Sequence, residues 1–133
     1  MATRLTGLAL STLAGAADHT YVEGSTGELW GCWGRSAGGR PICHGPGSVE
    51  QAECLSNPAS KAGIRYGRTG VCHQTANRIL LPANLTVARA RGYRKSLFLF
   101  GAYGLEPGTI NRYHPTLNPW PELRQCRLAH QHS

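Results

Sequence analysis

The chain has 133 residues, 41% of them apolar, which predicts a single globular domain over residues 1–133 and excludes a disordered chain. Seventeen glycines and eight prolines predict many tight turns and exclude an architecture of long helices. The formal net charge of +7 favours anionic partners such as nucleic acid or an anionic surface. No stretch of sequence reaches the length of a transmembrane helix, so no transmembrane segment is predicted.

The N-terminal residues 1–17 combine an early arginine, a diluted apolar run and small residues, as weak secretory signals do. Leu5, Leu8 and Leu13 can share one helical face, so we predict a retained helix over residues 3–16. The signal-like character leaves export open. The predicted location is therefore the cytoplasm or, after secretion, a target cell.

The next segments predict a small sheet followed by a capped helix. Two runs at 19–23 and 28–33 flank the turn signal EGSTGE, which is typical of a β-hairpin. A further short strand is expected at 41–44. Ser48 can cap a helix through VEQAECLS, and the Asn57–Pro58 step ends it.

The second half predicts two helices and a strand. A helix is expected over 70–81, with Thr69 as its N-cap and Pro82 as its stop. The apolar run at 96–104 predicts a central strand. PELRQCRLAHQ predicts a terminal helix capped near Asn118. The predicted fold class is α+β, a small antiparallel sheet with helices packed on one face.

The number of cysteines is odd, so complete disulfide pairing would leave one thiol over. No C-x-x-C motif occurs, which weakens a zinc ribbon or a thioredoxin-type redox centre. We expect most of these thiols to be reduced, in keeping with a cytoplasmic protein. The five cysteines are Cys32, Cys43, Cys54, Cys72 and Cys126.

Cys72 is the candidate nucleophile because it falls in the first turn of a predicted helix. The positive end of the helix dipole lowers the pKa of a thiol there, and Arg65 and Arg68 can add to this field. The unpaired N–H groups of the first turn can also bind the oxyanion of an acyl substrate. Gly70 would allow a substrate to approach the backbone closely.

His19 is the candidate base. The adjacent His73 points about 100° away from Cys72 around a helix, so we expect it to flank the site or face solvent. His19 begins a strand directly after Asp18, and a strand end is a rigid support for a base. The other histidines considered are His44, His114, His130 and His132.

The order of these segments resembles a known family. HTYVEGSTGELW (19–30) is similar to the histidine-bearing hairpin, and TGVCHQTANRIL (69–80) to the cysteine-bearing helix, of the circularly permuted NlpC/P60 group of papain-like cysteine hydrolases and acyltransferases. The resemblance implies a papain-like fold, with Cys72 as nucleophile and His19 as base. It covers these two segments alone.

The family has a third polar residue that orients the imidazole, and several residues could fill this role. Glu28 lies on the strand after the histidine, and His44 follows in a glycine- and proline-rich loop. Glu23 and Asp18 are further candidates. The resemblance therefore predicts a catalytic set of Cys72, His19, Glu28 and His44, with no cofactor and no metal.

The resemblance implies a cysteine hydrolase or acyltransferase that cleaves or deamidates an amide bond of a peptide or protein. A basic single domain of this size would suit the toxic module of a bacterial effector, by analogy. A cognate inhibitor protein is an expected partner of such a module.

Two other functions compete with this one. A zinc-binding module could draw on two Cys-His pairs and two further cysteines. A basic nucleic-acid-binding domain could use arginines on phosphates and tyrosines on bases. The zinc candidates are Cys43, His44, Cys72, His73, Cys32 and Cys54. The nucleic-acid candidates are Arg89, Arg91 and Arg94 with Tyr66, Tyr93 and Tyr103.

Overall fold

The computed structural model describes residues 3–12, 15–32, 37–105 and 120–131, with 127–131 as backbone alone. These residues form an α+β fold with one small antiparallel sheet, as expected from the sequence. The strands are β1 (Arg4–Thr12), β2 (Ala17–Gly24), β3 (Leu29–Trp30) and β4 (Arg40–Pro46). The helices are α1 (Val49–Ser56), α2 (Cys72–Ile79), α3 (Tyr93–Phe100) and α4 (Pro121–Gln131).

The sheet has the strand order β3-β2-β1-β4, so β1 lies at its centre. The prediction of a helix over 3–16 was wrong. Every second residue of this segment, from Leu5 through Gly7 to Ala9, lies on the same face of β1. The pairing of β1 with both β2 and β4 supplies backbone hydrogen bonds that the local sequence does not reveal. Leu13, which completed the predicted helical stripe, lies outside the described residues.

The predicted hairpin, the strand at 41–44 and the helix after Ser48 are confirmed. Strands β2 and β3 pair antiparallel through Val22 and Trp30. The Ser48 hydroxyl accepts a hydrogen bond of 3.0 Å from the backbone N–H of Gln51, which satisfies one unpaired donor of the first turn of α1. The helix ends at Asn57, whose backbone is left-handed with φ of 31°.

Helix α2 lies at the centre of the molecule, and all eight of its side chains are buried. Gln74, Asn77 and Arg78 bind backbone carbonyls of the surrounding loops, which compensates their burial, whereas the buried Thr75 hydroxyl has no hydrogen-bond partner among the described residues. Gly7 lets the end of this helix approach the sheet, because a Cβ there would lie 3.2 Å from Leu80 Cδ1. Gln74 donates to the carbonyl of Gly101, Asn77 to that of Ala102, and Arg78 to those of Tyr103 and Ala62.

The predicted strand at 96–104 was also wrong, because residues 93–100 form α3. A short run of leucine and phenylalanine is compatible with either element, and none of the four strands found among the described residues pairs with it. Tyr93 and Ser96 face the interior of the protein, whereas Phe98 and Leu99 are exposed. The run is therefore a surface helix and not the centre of the sheet.

The predicted terminal helix is confirmed as α4, although its expected cap, Asn118, lies outside the described residues. A disulfide between Cys54 and Cys126 joins α1 to α4, leaving Cys32, Cys43 and Cys72 as free thiols. Trp120 is fully buried, and the Arg78 guanidinium stacks 4.4 Å from the centre of its ring. None of the described helices is long and apolar enough to cross a membrane.

Candidate active site

The start of α2 covers an open stretch of the edge of β2. Strand β3 pairs only with Val22 and Glu23, so the backbone at residues 18–20 is free to bind other groups. Cys72 Sγ lies 3.9 Å from the carbonyl oxygen of Asp18 and accepts a hydrogen bond from the N–H of Thr20. The first residue of the helix and the first half of the strand therefore meet at one place.

Cys72 is the first residue of α2, two positions nearer its start than predicted, because Val71 is the N-cap. Gln74 Oε1 accepts a hydrogen bond of 2.9 Å from Val71 N and fixes this start. Thr69, the predicted cap, instead accepts from Arg65 N at 2.8 Å and closes the preceding loop. The N–H of Gln74 donates to the Val71 carbonyl at 3.1 Å, so the N–H groups of Cys72 and His73, which have no acceptor within the helix, are the ones available to an anion.

Gly70 does not open the backbone to a substrate as expected. A Cβ at this position would lie 2.9 Å from Gln74 Cβ and 3.1 Å from Ile64 Cδ1. The absent side chain therefore makes room for the protein's own residues.

His19 lies on β2 within hydrogen-bonding reach of the Cys72 sulfur, as predicted from the order of the two segments. Its side chain is 8% exposed and stacks on Tyr21, with the ring centres 6.2 Å apart. Its Nε2 atom is buried and has no hydrogen-bond partner of regular geometry among the described residues. A buried imidazole with an uncommitted nitrogen beside a thiol is suited to move protons.

The pKa of Cys72 is held well below that of an ordinary thiol. The largest cause is a hydrogen bond from the thiol of Cys32, and burial opposes it. A hydrogen bond from His19 and the charge of His73 lower the pKa further. Because the thiolate is the nucleophilic form, these neighbours favour a reactive sulfur at neutral pH.

His73 is buried, and both of its ring nitrogens are hydrogen-bonded, so it does not face solvent. Its Nε2 lies 2.9 Å from the carbonyl oxygen of Asp18, and its Nδ1 lies 2.8 Å from Ser96 Oγ. A carbonyl accepts only, so Nε2 carries a proton. His73 therefore ties α2 to β2 and α3, and its charge lowers the pKa of Cys72.

Asp18 does not orient His19. Neighbouring strand residues point to opposite faces, and the Asp18 carboxylate accepts from Arg40 Nη2 at 2.8 Å and from Arg91 N at 2.7 Å. Burial raises the pKa of this carboxyl, but the hydrogen bond from Arg91 N, with those of the two guanidinium groups, outweighs it and lowers the pKa below its usual value. Asp18 thus anchors the start of β2.

Glu28 and His44, predicted as further catalytic residues, are engaged elsewhere. The Glu28 carboxylate accepts from the backbone N–H and hydroxyl of Thr26 in the turn between β2 and β3. His44 is exposed on β4, where Arg4 Nη2 lies 2.6 Å from its Nδ1, and β1 separates it from β2. No described contact gives either residue a role in orienting His19.

Sequence reasoning missed Cys32 as a member of the site. It is buried two residues after the end of β3, and its thiol donates a hydrogen bond to the Cys72 sulfur. Lys61 and the half-exposed Tyr66 lie near enough for charge interactions with these thiols. In the sequence Cys32 lies just beyond the histidine-bearing hairpin, and this position alone does not predict a contact with Cys72.

The described residues contain no group of three or more histidine, cysteine or acidic side chains that could hold a metal ion. Cys54, one of the zinc candidates, is in the disulfide. All three arginines predicted to bind nucleic acid are exposed, and Arg91 is in addition bonded to Asp18 and to the Gly15 carbonyl; the other two are Arg89 and Arg94. His114 and His132, like the side chain of His130, lie outside the described part of the chain.

Comparison with models of protein families, with curated proteins and with solved structures finds no match to this chain.

Proposed function

We propose that the protein is a cysteine hydrolase or acyltransferase acting on an amide or ester bond, with Cys72 as nucleophile and His19 as base. The observation that carries this proposal is the meeting of the two side chains at the junction of α2 and β2. The low pKa of Cys72 supports it, because a thiolate attacks a carbonyl carbon at neutral pH. The papain-like relationship suggested by the order of the segments is part of the proposal.

In the first step the Cys72 thiolate attacks the carbonyl carbon, and the carbonyl oxygen becomes an oxyanion. The free N–H groups at the start of α2 are placed to stabilise it. Protonated His19 then gives its proton to the leaving amine or alcohol, and the C–N or C–O bond breaks to leave a thioester on Cys72.

In the second step neutral His19 takes a proton from water or an amine acceptor, which attacks the thioester carbonyl. The C–S bond breaks, the product leaves, and the thiolate returns beside the imidazolium. Water gives hydrolysis, or deamidation when the substrate is a glutamine side chain; an amine acceptor gives acyl transfer. A peptide or protein substrate remains the expected class, and the effector role remains an analogy.

Alkylation by iodoacetamide as a function of pH tests the nucleophile, with Cys43 as an internal reference. Burial raises the pKa of Cys43, so its labelling should fall about tenfold per pH unit below neutrality. Cys72 should stay reactive to about pH 6, because its pKa is lowered. Equal pH dependence for the two thiols would contradict the proposal.

Hydrolysis of p-nitrophenyl acetate tests the chemistry. Cys72→Ala should abolish the turnover above background, whereas Cys43→Ala, the matched control, should leave it unchanged. Mass spectrometry of the unreduced protein should find the acetyl group on peptide 69–78, the tryptic peptide that contains Cys72. Turnover that survives in Cys72→Ala would exclude Cys72 as the nucleophile.

A further inference from the structure

Two of the three free thiols lie against each other. Cys32 and Cys72 are both 7% exposed, and a hydrogen bond joins their sulfur atoms. The segments that carry them are held in place independently, Cys32 by the end of the β2–β3 hairpin and Cys72 by the start of α2. Cys43, the third free thiol, is on β4 beside Gly7, with β1 between it and the site.

We propose that Cys32 and Cys72 form a reversible disulfide that blocks the Cys72 nucleophile and is opened by mild reduction. This inference rests on the proposed function only for its regulatory meaning, since the disulfide itself can be observed without any activity. The oxidant is a small-molecule disulfide of the glutathione class.

The chemistry proceeds in two exchanges. The Cys72 thiolate attacks one sulfur of the small disulfide, a mixed disulfide forms on Cys72, and one thiolate leaves and takes up a proton. Cys32 then loses its proton and attacks the Cys72 sulfur, which expels the second small thiol. In total, two protein thiols and one small disulfide give one protein disulfide and two small thiols.

The structure favours the second exchange as soon as the first is complete. The hydrogen bond to the Cys72 sulfur is the largest cause that raises the pKa of Cys32, and burial adds to it. A mixed disulfide removes the negative charge from Cys72, so Cys32 no longer shares a proton with an anion. The positive charge of Lys61 then acts on Cys32 without that opposition and favours its thiolate.

The two cysteine pairs should differ in how easily they are reduced. A disulfide breaks faster when the departing sulfur is a stabilised thiolate, and Cys72 is such a leaving group. Cys126 of the existing disulfide is 1% exposed and packs with Trp120 and Leu123, which restricts attack on that bond. Mild reduction should therefore free Cys72 while Cys54–Cys126 stays closed.

Disulfide mapping of the full chain after incubation with oxidised glutathione tests the inference. Digestion with trypsin without reduction should give a cross-link between peptide 5–35, which carries Cys32, and peptide 69–78, which carries Cys72. Iodoacetamide should no longer label Cys72. Increasing dithiothreitol should release this cross-link at a concentration at least about tenfold lower than the one that opens Cys54–Cys126.

Matched variants show whether Cys32 is the partner. Cys32→Ser should convert the cross-link into a stable glutathione adduct on Cys72, whereas Cys43→Ser should leave the cross-link intact. A Cys72 that carries glutathione in the unaltered protein while Cys32 remains open to alkylation would overturn the inference, as would a cross-link to Cys43.

The outcome separates this inference from the proposed function. A cross-link in a protein that never turns over p-nitrophenyl acetate would support the dithiol and contradict the enzyme. Turnover that depends on Cys72 in a protein without the cross-link would do the opposite.

Discussion

Two imidazoles flank Cys72, and they differ in what their nitrogens bind. His73 is the next residue along the chain, yet its nitrogens are taken up by the Asp18 carbonyl and the Ser96 hydroxyl. His19 is 53 positions away along the chain and brings an Nε2 atom that no described residue satisfies. An imidazole adjacent in sequence can therefore be structural, while a distant one has the uncommitted nitrogen that the proposed proton transfer requires.

The second partner of His73, the Ser96 hydroxyl, is shared with a backbone carbonyl. Ser96 Oγ is 2.8 Å from His73 Nδ1 and 3.0 Å from the carbonyl oxygen of Tyr93, but a hydroxyl has one proton to donate. Where the Ser96 hydroxyl donates to the Tyr93 carbonyl, Ser96 Oγ acts as the acceptor for His73 Nδ1. In either arrangement His73 is fully used, so it cannot exchange protons with a substrate without losing a contact that holds the fold.

The largest effect should come from His19→Ala. Loss of the base should slow hydrolysis of p-nitrophenyl acetate by about 10²–10⁴-fold, because general acid–base catalysis contributes on this scale. The free energy of unfolding, measured by urea denaturation, should also fall, because the buried ring packs on Tyr21 and hydrogen-bonds to Cys72, so turnover is compared per folded molecule. A variant that keeps full turnover would reverse the roles assigned to the two histidines.

His73→Ala should act on stability more than on turnover. The variant loses two buried hydrogen bonds and leaves the Asp18 carbonyl without this donor, at a cost of about 2–4 kcal/mol in the free energy of unfolding. Turnover by the folded fraction should fall by less than about tenfold, the factor expected from loss of a nearby charge alone. Ser96→Ala is the control, because it removes one of the two contacts and should cost about 1 kcal/mol.

Asp18→Asn tests the start of β2, the strand that carries His19 and whose Asp18 carbonyl binds His73. It should lower the free energy of unfolding at pH 7 by about 1.5–3 kcal/mol, because charge-assisted hydrogen bonds from Arg40 and Arg91 are lost. The folded carboxyl has its pKa below the reference of 3.8, so its contribution is complete above that pH. The contribution then disappears as the pH falls through the lower, folded-state pKa.

Urea denaturation of the unaltered protein and of Asp18→Asn, repeated from pH 7 downwards, checks this sign. The difference between their free energies of unfolding should stay constant down to about pH 4 and shrink below that pH. Convergence that begins near pH 6 would assign the effect to a histidine instead of Asp18.

The smallest effects should come from Glu28→Gln and His44→Ala. Both side chains make local contacts on the surface, and such substitutions change a free energy by about 0.5 kcal/mol or less, which is about twofold in a rate. Steady-state turnover of p-nitrophenyl acetate is the measurement. A loss of a hundredfold in Glu28→Gln would restore this residue as the group that orients His19.

The parts of the fold that could be predicted are those in which local chemistry determines structure. Ser48 caps its helix through its own side chain, and the turn signal after Glu23 lies between the two strands that pair as a hairpin. The segment of β1 and the run in α3 were assigned wrongly because partners distant in sequence decide them. Two strands pair with β1, and none of the strands in the described part of the chain pairs with the residues of α3.

The site was predictable to the same extent. Cys72 and His19 could be paired from the order of a hairpin and a helix. Cys32 could not, because its approach to Cys72 depends on how the chain leaves β3, and neither periodicity nor spacing encodes that path. The N-cap was placed at Thr69 because its hydroxyl fits that role, whereas the structure uses it to close the loop at Arg65.

Gln74, Asn77 and Arg78 of α2 bind backbone carbonyls, and this determines which positions can be substituted without loss of these hydrogen bonds. A loop that offers only its carbonyl can change its side chains and still receive the same hydrogen bond. The helix has no such freedom, because its side-chain amide and guanidinium groups are the donors of these hydrogen bonds. Saturation mutagenesis should therefore find the helix nearly invariant while Ala102, a half-buried loop residue that offers its carbonyl to Asn77, accepts more replacements.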